Sequence, residues 1–335
     1  MTALDLSPDL SFDQVPVFRK HYAMGTVFEI ATYGANLTQA SQAMDHAFQE
    51  IDRLEQVMSL YKTTSDLSQL NRTAHLQAQT VSPDLYQVIQ ESQHYSELSD
   101  GAFDITAGPL AERWKAVGRG EQAPSPAEER ELRRGVGYRQ VELIPSNRIH
   151  FHSSRVAVDL GAIGKGYAVD RAAAVLRFCG IECALINSGG STFYAIGCPP
   201  GQSGWRVHLC DPSAQSGFHV LLNGNSVSTS QQTPPSLLGL PSFGHIIDAV
   251  AGEPLKSATA VSVVADSATA SDALSTAFLL MGPLRGQDLV KRLPNVAAVW
   301  ISPNGPPQTV TSGPLILMKN VACMSPQKAV TRNLD

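Results

Sequence analysis

The stretch Asp159-Leu-Gly-Ala-Ile-Gly-Lys165 lies between a Val-containing segment, 155–159, and an apolar-periodic run from about Gly164 to Phe178. It reads as strand, glycine-rich turn and helix, with Gly180 as the C-terminal stop of the helix. Such a turn offers backbone N–H groups and the positive end of a helix to an anion, with Lys165 in the first turn. The spacing is neither GxxxxGK[ST] nor GxGxxG, so it is not a Walker loop or a dinucleotide fingerprint. A tight strand–helix turn with a solvated lysine accounts for the same residues equally well.

Outward from this run, helices and strands mix without strict βα alternation. That order points to an α+β fold with mixed, largely antiparallel sheets flanked by helices. Residues 17–33 alternate around Met24-Gly25-Thr26 and read as two strands or one bent strand. Thr38 is the expected cap of an amphipathic helix carrying Ala40, Ala43, Met44, Ala47, Ile51, Leu54 and Met58 at helical spacing. Further helices follow Ser65 and the pair Ser82-Pro83, a good N-cap with proline at the first helical position. Asp100-Gly101 stops the second of these, and 118–127 reads as a surface loop. Strands are expected at 140–144, 148–151, 155–159, 182–187, 205–210, 218–222, 244–248 and 258–265. A helix from about Ser267 to Met281 and a final strand at Val296–Ile301 complete the reading.

With 335 residues, 43% hydrophobic and 16% charged, the chain can bury a large core as one domain or two lobes. A formal net charge of −5 and no basic run leave no footprint for nucleic acid. No stretch approaches the roughly 18 apolar residues of a membrane span. The first residues carry no leader pattern, and the five cysteines form no CxxC pair and have no partners at zinc spacing. Reduced thiols in a cytoplasmic protein are the expectation.

Four other constellations carry chemistry. Asp272 and Thr276, at i and i+4, share a helix face and suit a hard cation that takes its other ligands from phosphate and water. A dipole-stabilising Asp and a Thr bonded back to a carbonyl would give the same pattern. Gly101-Ala-Phe-Asp104-Ile-Thr106 is either a turn with a cap at Asp104 or Thr106, or a loop facing a ligand. Asn187-Ser-Gly-Gly190 lets backbone approach a ligand, and His245-Ile-Ile-Asp248 is a strand carrying a histidine.

Taken in order, these blocks form a pattern: Met24-Gly25-Thr26; Ser59-Leu-Tyr61 with Ser65 and Leu70-Asn71; Gly101 to Thr106; Asp159 to Asp170; Asn187 to Gly190; His245 to Asp248 with Gly252; and Ala270 to Thr276. The pattern resembles the ApbE-type FAD:protein FMN transferases, over about residues 18–300. The resemblance implies a flavin-transferase domain over 17–303, set between an N-terminal extension (1–16) and a C-terminal one (304–335), with two lobes around a flavin cleft. It implies Mg2+-dependent transfer of FMN from FAD to a Thr or Ser hydroxyl of an acceptor flavoprotein subunit, releasing AMP. It places FAD contacts at Met24, Tyr61, Ala102, Phe103, Asp104, Asp159, Lys165 and Ile246, and Mg2+ at the Ala162 carbonyl, Asp272 and Thr276. His245 is the candidate base by residue type, with Asp159 or Asp248 as alternatives.

An FAD diphosphatase using water, or a silent FAD-binding protein, would use the same site. Three positions depart from the family pattern: Ala249 stands where Pro is common, Ser191 where Asp is usual, and Gln231-Gln232-Thr233-Pro-Pro follows Ser230 in place of Gly-x-Tyr/Phe. Asp266-Ser-Ala-Thr269 looks like a fragment of the family's acceptor motif but is better explained as a helix cap at Asp266 or Ser267.

Overall fold

A computed structural model describes residues 16–34, 36–209, 218–232, 246–303, 307–312 and the backbone of 317–319. In chain order it contains β1 (Val17–Ala23), β2 (Thr26–Thr32), α1 (Leu37–Met58), α2 (Asp66–Thr73), β3 (Gln79–Thr80) and α3 (Pro83–Leu98). There follow α4 (Gly108–Gly118), α5 (Pro126–Arg133), β4 (Val141–Ile144), β5 (Arg148–Phe151) and α6 (Gly164–Phe178). Next come β6 (Ala184–Ser188), β7 (Thr192–Ile196), β8 (Trp205–His208), β9 (Phe218–Leu222) and β10 (Ser226–Gln231). The last are β11 (Ile247–Asp248), β12 (Glu253–Pro254), β13 (Ala260–Ala265), α7 (Ala268–Val290), β14 (Ala297–Ile301), β15 (Gln308–Thr311) and β16 (Leu317–Lys319).

Eight strands form one sheet in the order β1-β2-β6-β7-β10-β13-β14-β15, and every neighbouring pair is antiparallel. Both faces are buried, and the two-residue period of the strands divides them. Phe28, Ile30, Ile186 and Tyr194 pack against α1 and α6, while Val263, Ala298 and Trp300 pack against α7. The alternate residues Ala31, Leu185, Phe193, Val264 and Val299 pack with Trp205, Val207, Val220 and Leu222 of β8 and β9. The largely antiparallel α+β architecture expected from the sequence is what the chain adopts.

Several local expectations change. The cap of α1 is Asn36, not Thr38: its side chain accepts from the Gln39 N–H, while Thr38 lies inside the helix. Ser65 and Ser82 cap α2 and α3 as the sequence indicates. Residues 155–159 form no strand. Val158 exchanges both backbone hydrogen bonds with the Asn71 side-chain amide (2.9 Å each), and the Asp159 N–H goes to the Ile105 carbonyl (2.7 Å). One side chain thus takes the place of a ladder partner. The strand at Val296–Ile301 is not final, because β15 extends the sheet beyond it. β15 lies within the segment assigned to a C-terminal extension.

Candidate functional site

The run that opens the reading is anchored from two sides. Asp159 Oδ1 accepts from the Gly161 N–H (2.8 Å), which closes the turn, and Lys165 Nζ donates to the Gly161 carbonyl (3.2 Å). α6 then crosses α7 so closely that Gly166 lies against the α7 backbone, and its N–H donates to Asp272 Oδ2 (2.9 Å). Four residues on, the Asp170 carboxylate accepts from the N–H groups of Ala268 (2.7 Å) and Thr269 (2.8 Å) and from the Thr269 hydroxyl (2.6 Å). Burial pushes the Asp170 carboxyl up, against these bonds. Ser267 is the N-cap of α7, accepting from the Ala270 N–H, so the Asp266–Thr269 string serves as a helix start. Two residues of one motif therefore fix the helix that carries Asp272.

The far side of α7 is fastened to β10 by hydroxyls. Ser271 Oγ meets Ser226 Oγ (2.8 Å) and Ser228 Oγ (2.7 Å); Ser230 Oγ meets Ser275 Oγ (2.8 Å) and Thr276 Oγ1 (3.0 Å). The alternation of the strand and the spacing of the helix put successive pairs in register.

Between these walls lies a cleft of about 490 Å³. Of the expected site residues, Ala102, Phe103, Asp104, Asp159, Ala162, Lys165, Ile246, Asp272 and Thr276 all line it. They come from segments as far apart in sequence as 102 and 276. Tyr61, 83% exposed, lines an adjoining hollow of about 320 Å³ that shares Gly108 and Asp159 with the cleft. Met24 lines neither. It occupies the β1–β2 turn with φ 51°, beside Gly25 at φ 72°, and its N–H donates to Glu55 Oε1 (2.7 Å). Two consecutive positive-φ residues are what a tight type I′ hairpin requires. That block reaches the cleft indirectly: Thr26 packs against Gly189, where any side chain would collide with it, and Gly189 lines the cleft. His245 lies outside the described residues, although its neighbour Ile246 lines the cleft. Asp248 Oδ1 closes the β11–β12 turn by accepting from Val250 and Ala251 (2.9 Å each).

Asp104 holds its loop as a cap and also lines the cleft. Its Oδ1 accepts from the Thr106 N–H (2.8 Å) and hydroxyl (2.6 Å), and its Oδ2 accepts from the Tyr138 N–H (2.9 Å). Burial raises its pKa, and these three hydrogen bonds only partly oppose that.

The sequence reading missed Lys115, which enters from α4 and also lines the cleft. Burial works against its charge, but the hydrogen bond from Lys115 to Glu112 and the nearby carboxylates outweigh it, so its pKa is raised. The signal for α4 was present in Gly108-Pro109, with proline in the first turn, followed by Leu110 and Val117 at helical spacing. Thr229, Ser230 and Gln231 of β10 also line the cleft. The divergent Gln232 is buried beneath them; its Oε1 accepts from the Ile246 N–H (2.9 Å) and its Nε2 donates to the Leu255 carbonyl (2.7 Å).

The donor set suits a hard cation. Asp272 is only 5% exposed, one carboxylate oxygen takes the Gly166 N–H, and the other accepts from no described residue. Asp272 lines the cleft, where a cation or a ligand's donor can reach that oxygen. The Thr276 hydroxyl and Ala162 line the same space, giving oxygen ligands of the kind magnesium takes.

Comparison with known proteins gives a single answer. The FAD:protein FMN transferase of Salmonella typhimurium is 27% identical over 280 residues, covering 80% of this chain and 79% of that protein. The FAD:protein FMN transferase of a Vibrio cholerae strain is 29% identical over 258 residues, covering 71% and 74% of the two chains. The apo crystal structure of Pseudomonas stutzeri flavinyl transferase ApbE superposes with a TM-score of 0.77 at 25% identity, over 91% of this chain and 98% of that one. The ApbE family model matches residues 24–300, and the chain belongs to that family.

Proposed function

We propose that this chain transfers FMN from FAD to a Thr or Ser hydroxyl of an acceptor flavoprotein, with Mg2+ as cofactor. The observation that carries this reading is the gathering of Ala162, Asp272 and Thr276 in the same cleft as Asp104, Asp159 and Lys165. The acceptor oxygen forms a bond to the FMN phosphorus, the diphosphate P–O bond breaks, AMP leaves, and the hydroxyl proton passes to a base. Phosphoryl transfer of this kind depends mostly on positioning and on neutralising charge.

Asp272 Oδ1, the Thr276 hydroxyl and the Ala162 carbonyl would hold Mg2+, which when bound neutralises the diphosphate and stabilises AMP as leaving group. Lys165 and Lys115 contribute positive charge to the same cleft, where they hold the diphosphate in place. Phe103 and Ile246 supply apolar wall for the flavin or adenine ring. Asp104, anchored by Thr106 and Tyr138, accepts from an exocyclic amine or a sugar hydroxyl. His245 is the proposed base, supported by its residue type and by its place next to the cleft residue Ile246 in the sequence; Asp159 remains the alternative within the cleft. Asp248 is the weaker candidate because its carboxylate is engaged in a turn. We assign the reaction to the cytoplasm, a reading supported by the free thiols Cys179, Cys183 and Cys198. Among the described residues no helix is long and apolar enough to cross a membrane.

The test is incubation with FAD, Mg2+ and flavin-carrying acceptor subunits, followed by intact mass of the acceptor and chromatography of the nucleotides. One FMN gained per acceptor, with matching AMP, supports transfer. Fast AMP release without acceptor identifies a diphosphatase instead.

A further inference from the structure

The β4–β5 hairpin carries a second cluster of ligating groups, and none of its members lines the flavin cleft. In this antiparallel pair Glu142 stands directly opposite His150. Val141, Ile149 and Phe151 are buried, so the two-residue period turns Glu142 and His150 to the other face, with His152 two residues further along. His150 Nδ1 lies 3.6 Å and His152 Nε2 3.7 Å from the same Glu142 oxygen, Oε2. The two imidazole rings stand edge to face, with centroids 5.3 Å apart. One ligand atom from each of the three residues lies within 4.8 Å of the other two.

Both His–Glu separations exceed hydrogen-bonding reach and form ion pairs only when the imidazoles are protonated, so the three groups surround a common point without hydrogen bonds between them. A four-coordinate ion with bonds near 2.0–2.2 Å holds its ligand atoms about 3.3 Å apart. Small side-chain rotations therefore bring these atoms onto one ion with no backbone movement. Arg148, on the same strand face, turns its guanidinium to the Pro145 carbonyl in the hairpin turn.

We propose that Glu142, His150 and His152 form a site for a divalent first-row transition ion of the zinc type, separate from the magnesium site. Two imidazoles and a carboxylate are a nitrogen-rich set suited to such ions, whereas magnesium takes oxygen ligands. The site is open outward: Glu142 and His152 side chains are 48% and 52% exposed, against 29% for His150. Three protein ligands leave a fourth position for water or for a donor from another molecule. The sequence reading weighed zinc only around the cysteines. The His-x-His spacing on a strand was visible, but the third ligand appears only once the hairpin register is known.

The experiment uses the tag-free full-length chain, stripped with chelator and then titrated with Zn2+ in the presence of excess Mg2+. Wild type is expected to bind one more equivalent of Zn2+ than His152→Ala or Glu142→Gln, with unchanged thermal unfolding of the stripped proteins. Co2+ in place of Zn2+ should give visible absorption bands of a low-coordinate site in wild type, lost in both variants. Equal Zn2+ stoichiometry in wild type and both variants overturns the proposal, as does displacement of the extra ion by Mg2+. Neither readout depends on flavin transfer, so failure here leaves the reading of the cleft untouched.

Discussion

Replacing Gly166 with alanine tests how the helix that carries Asp272 is held. A Cβ at this position would collide with the Ala268 carbonyl oxygen and lie 2.8 Å from Asp272 Cβ, where ordinary contact begins at 3.4 Å. The obstacle is backbone, 2.3 Å away at the Ala268 carbonyl oxygen, so no side-chain rotation relieves it, and α7 must recede by roughly 1 Å. Overpacking of this kind costs about 1–3 kcal/mol. Stretching the Gly166 N–H bond to the Asp272 carboxylate adds on the order of 1 kcal/mol or more. The expected loss is ~2–4 kcal/mol, or a fall in melting temperature of about 5–10 °C.

Gly164, two residues earlier, is the control. There a Cβ would meet Leu160 Cβ at 3.6 Å and Met58 Sδ at 3.9 Å, both ordinary contacts. Gly164→Ala should therefore be within about 0.5 kcal/mol of wild type, or slightly stabilised by the loss of unfolded-state freedom. Thermal unfolding with and without Mg2+ reads both effects, since an ion bound only by the folded state raises the midpoint. Gly166→Ala should lose stability and also show a smaller Mg2+ increment. Wild-type stability in Gly166→Ala, or an equal loss in Gly164→Ala, refutes the reasoning.

Two further outcomes follow from other contacts. Gln232→Leu removes the acceptor for the Ile246 N–H and the donor to Leu255, leaving buried backbone groups unpaired at about 1–3 kcal/mol; denaturant unfolding should show that loss, and FAD affinity should fall because Ile246 lines the cleft. Glu50, which bridges to Arg53 and Arg171, has its pKa held below 4.5 chiefly by the Arg53 hydrogen bond. Its stabilisation is fully present above pH 4.5 and is lost as pH falls through the lowered folded value, so Glu50→Gln should lower stability at neutral pH and flatten the acid limb of a stability–pH curve.

Much of the fold was legible because periodicity and punctuation agree in α2, α3 and α6, where Ser65, Ser82 and Gly180 act as their chemistry dictates, while α1 was legible from periodicity and not from its cap. The candidate site was legible through its ordered blocks, and the cleft brings together nine of the expected residues. What the sequence hid depends on partners distant in the chain. Residues 155–159 have strand composition, yet the Asn71 side chain takes the place of the neighbouring strand. Met24 does not itself line the cleft; it sits in a positive-φ turn whose Thr26 packs against the cleft residue Gly189. Asp170 reads as one more helix residue until α7 is seen to begin on its carboxylate. Gln232 read only as a departure from the family pattern, and its buried side chain accepts from the Ile246 N–H.

The most direct test of the central claim compares wild type with Asp272→Ala in the presence of FAD, Mg2+ and an acceptor flavoprotein, reading the intact mass of the acceptor and the AMP released. The account predicts one FMN on the acceptor and one AMP for wild type, with both lost in a folded Asp272→Ala protein. Transfer at wild-type rate by Asp272→Ala, or FAD left intact by wild type with every acceptor offered, would contradict it.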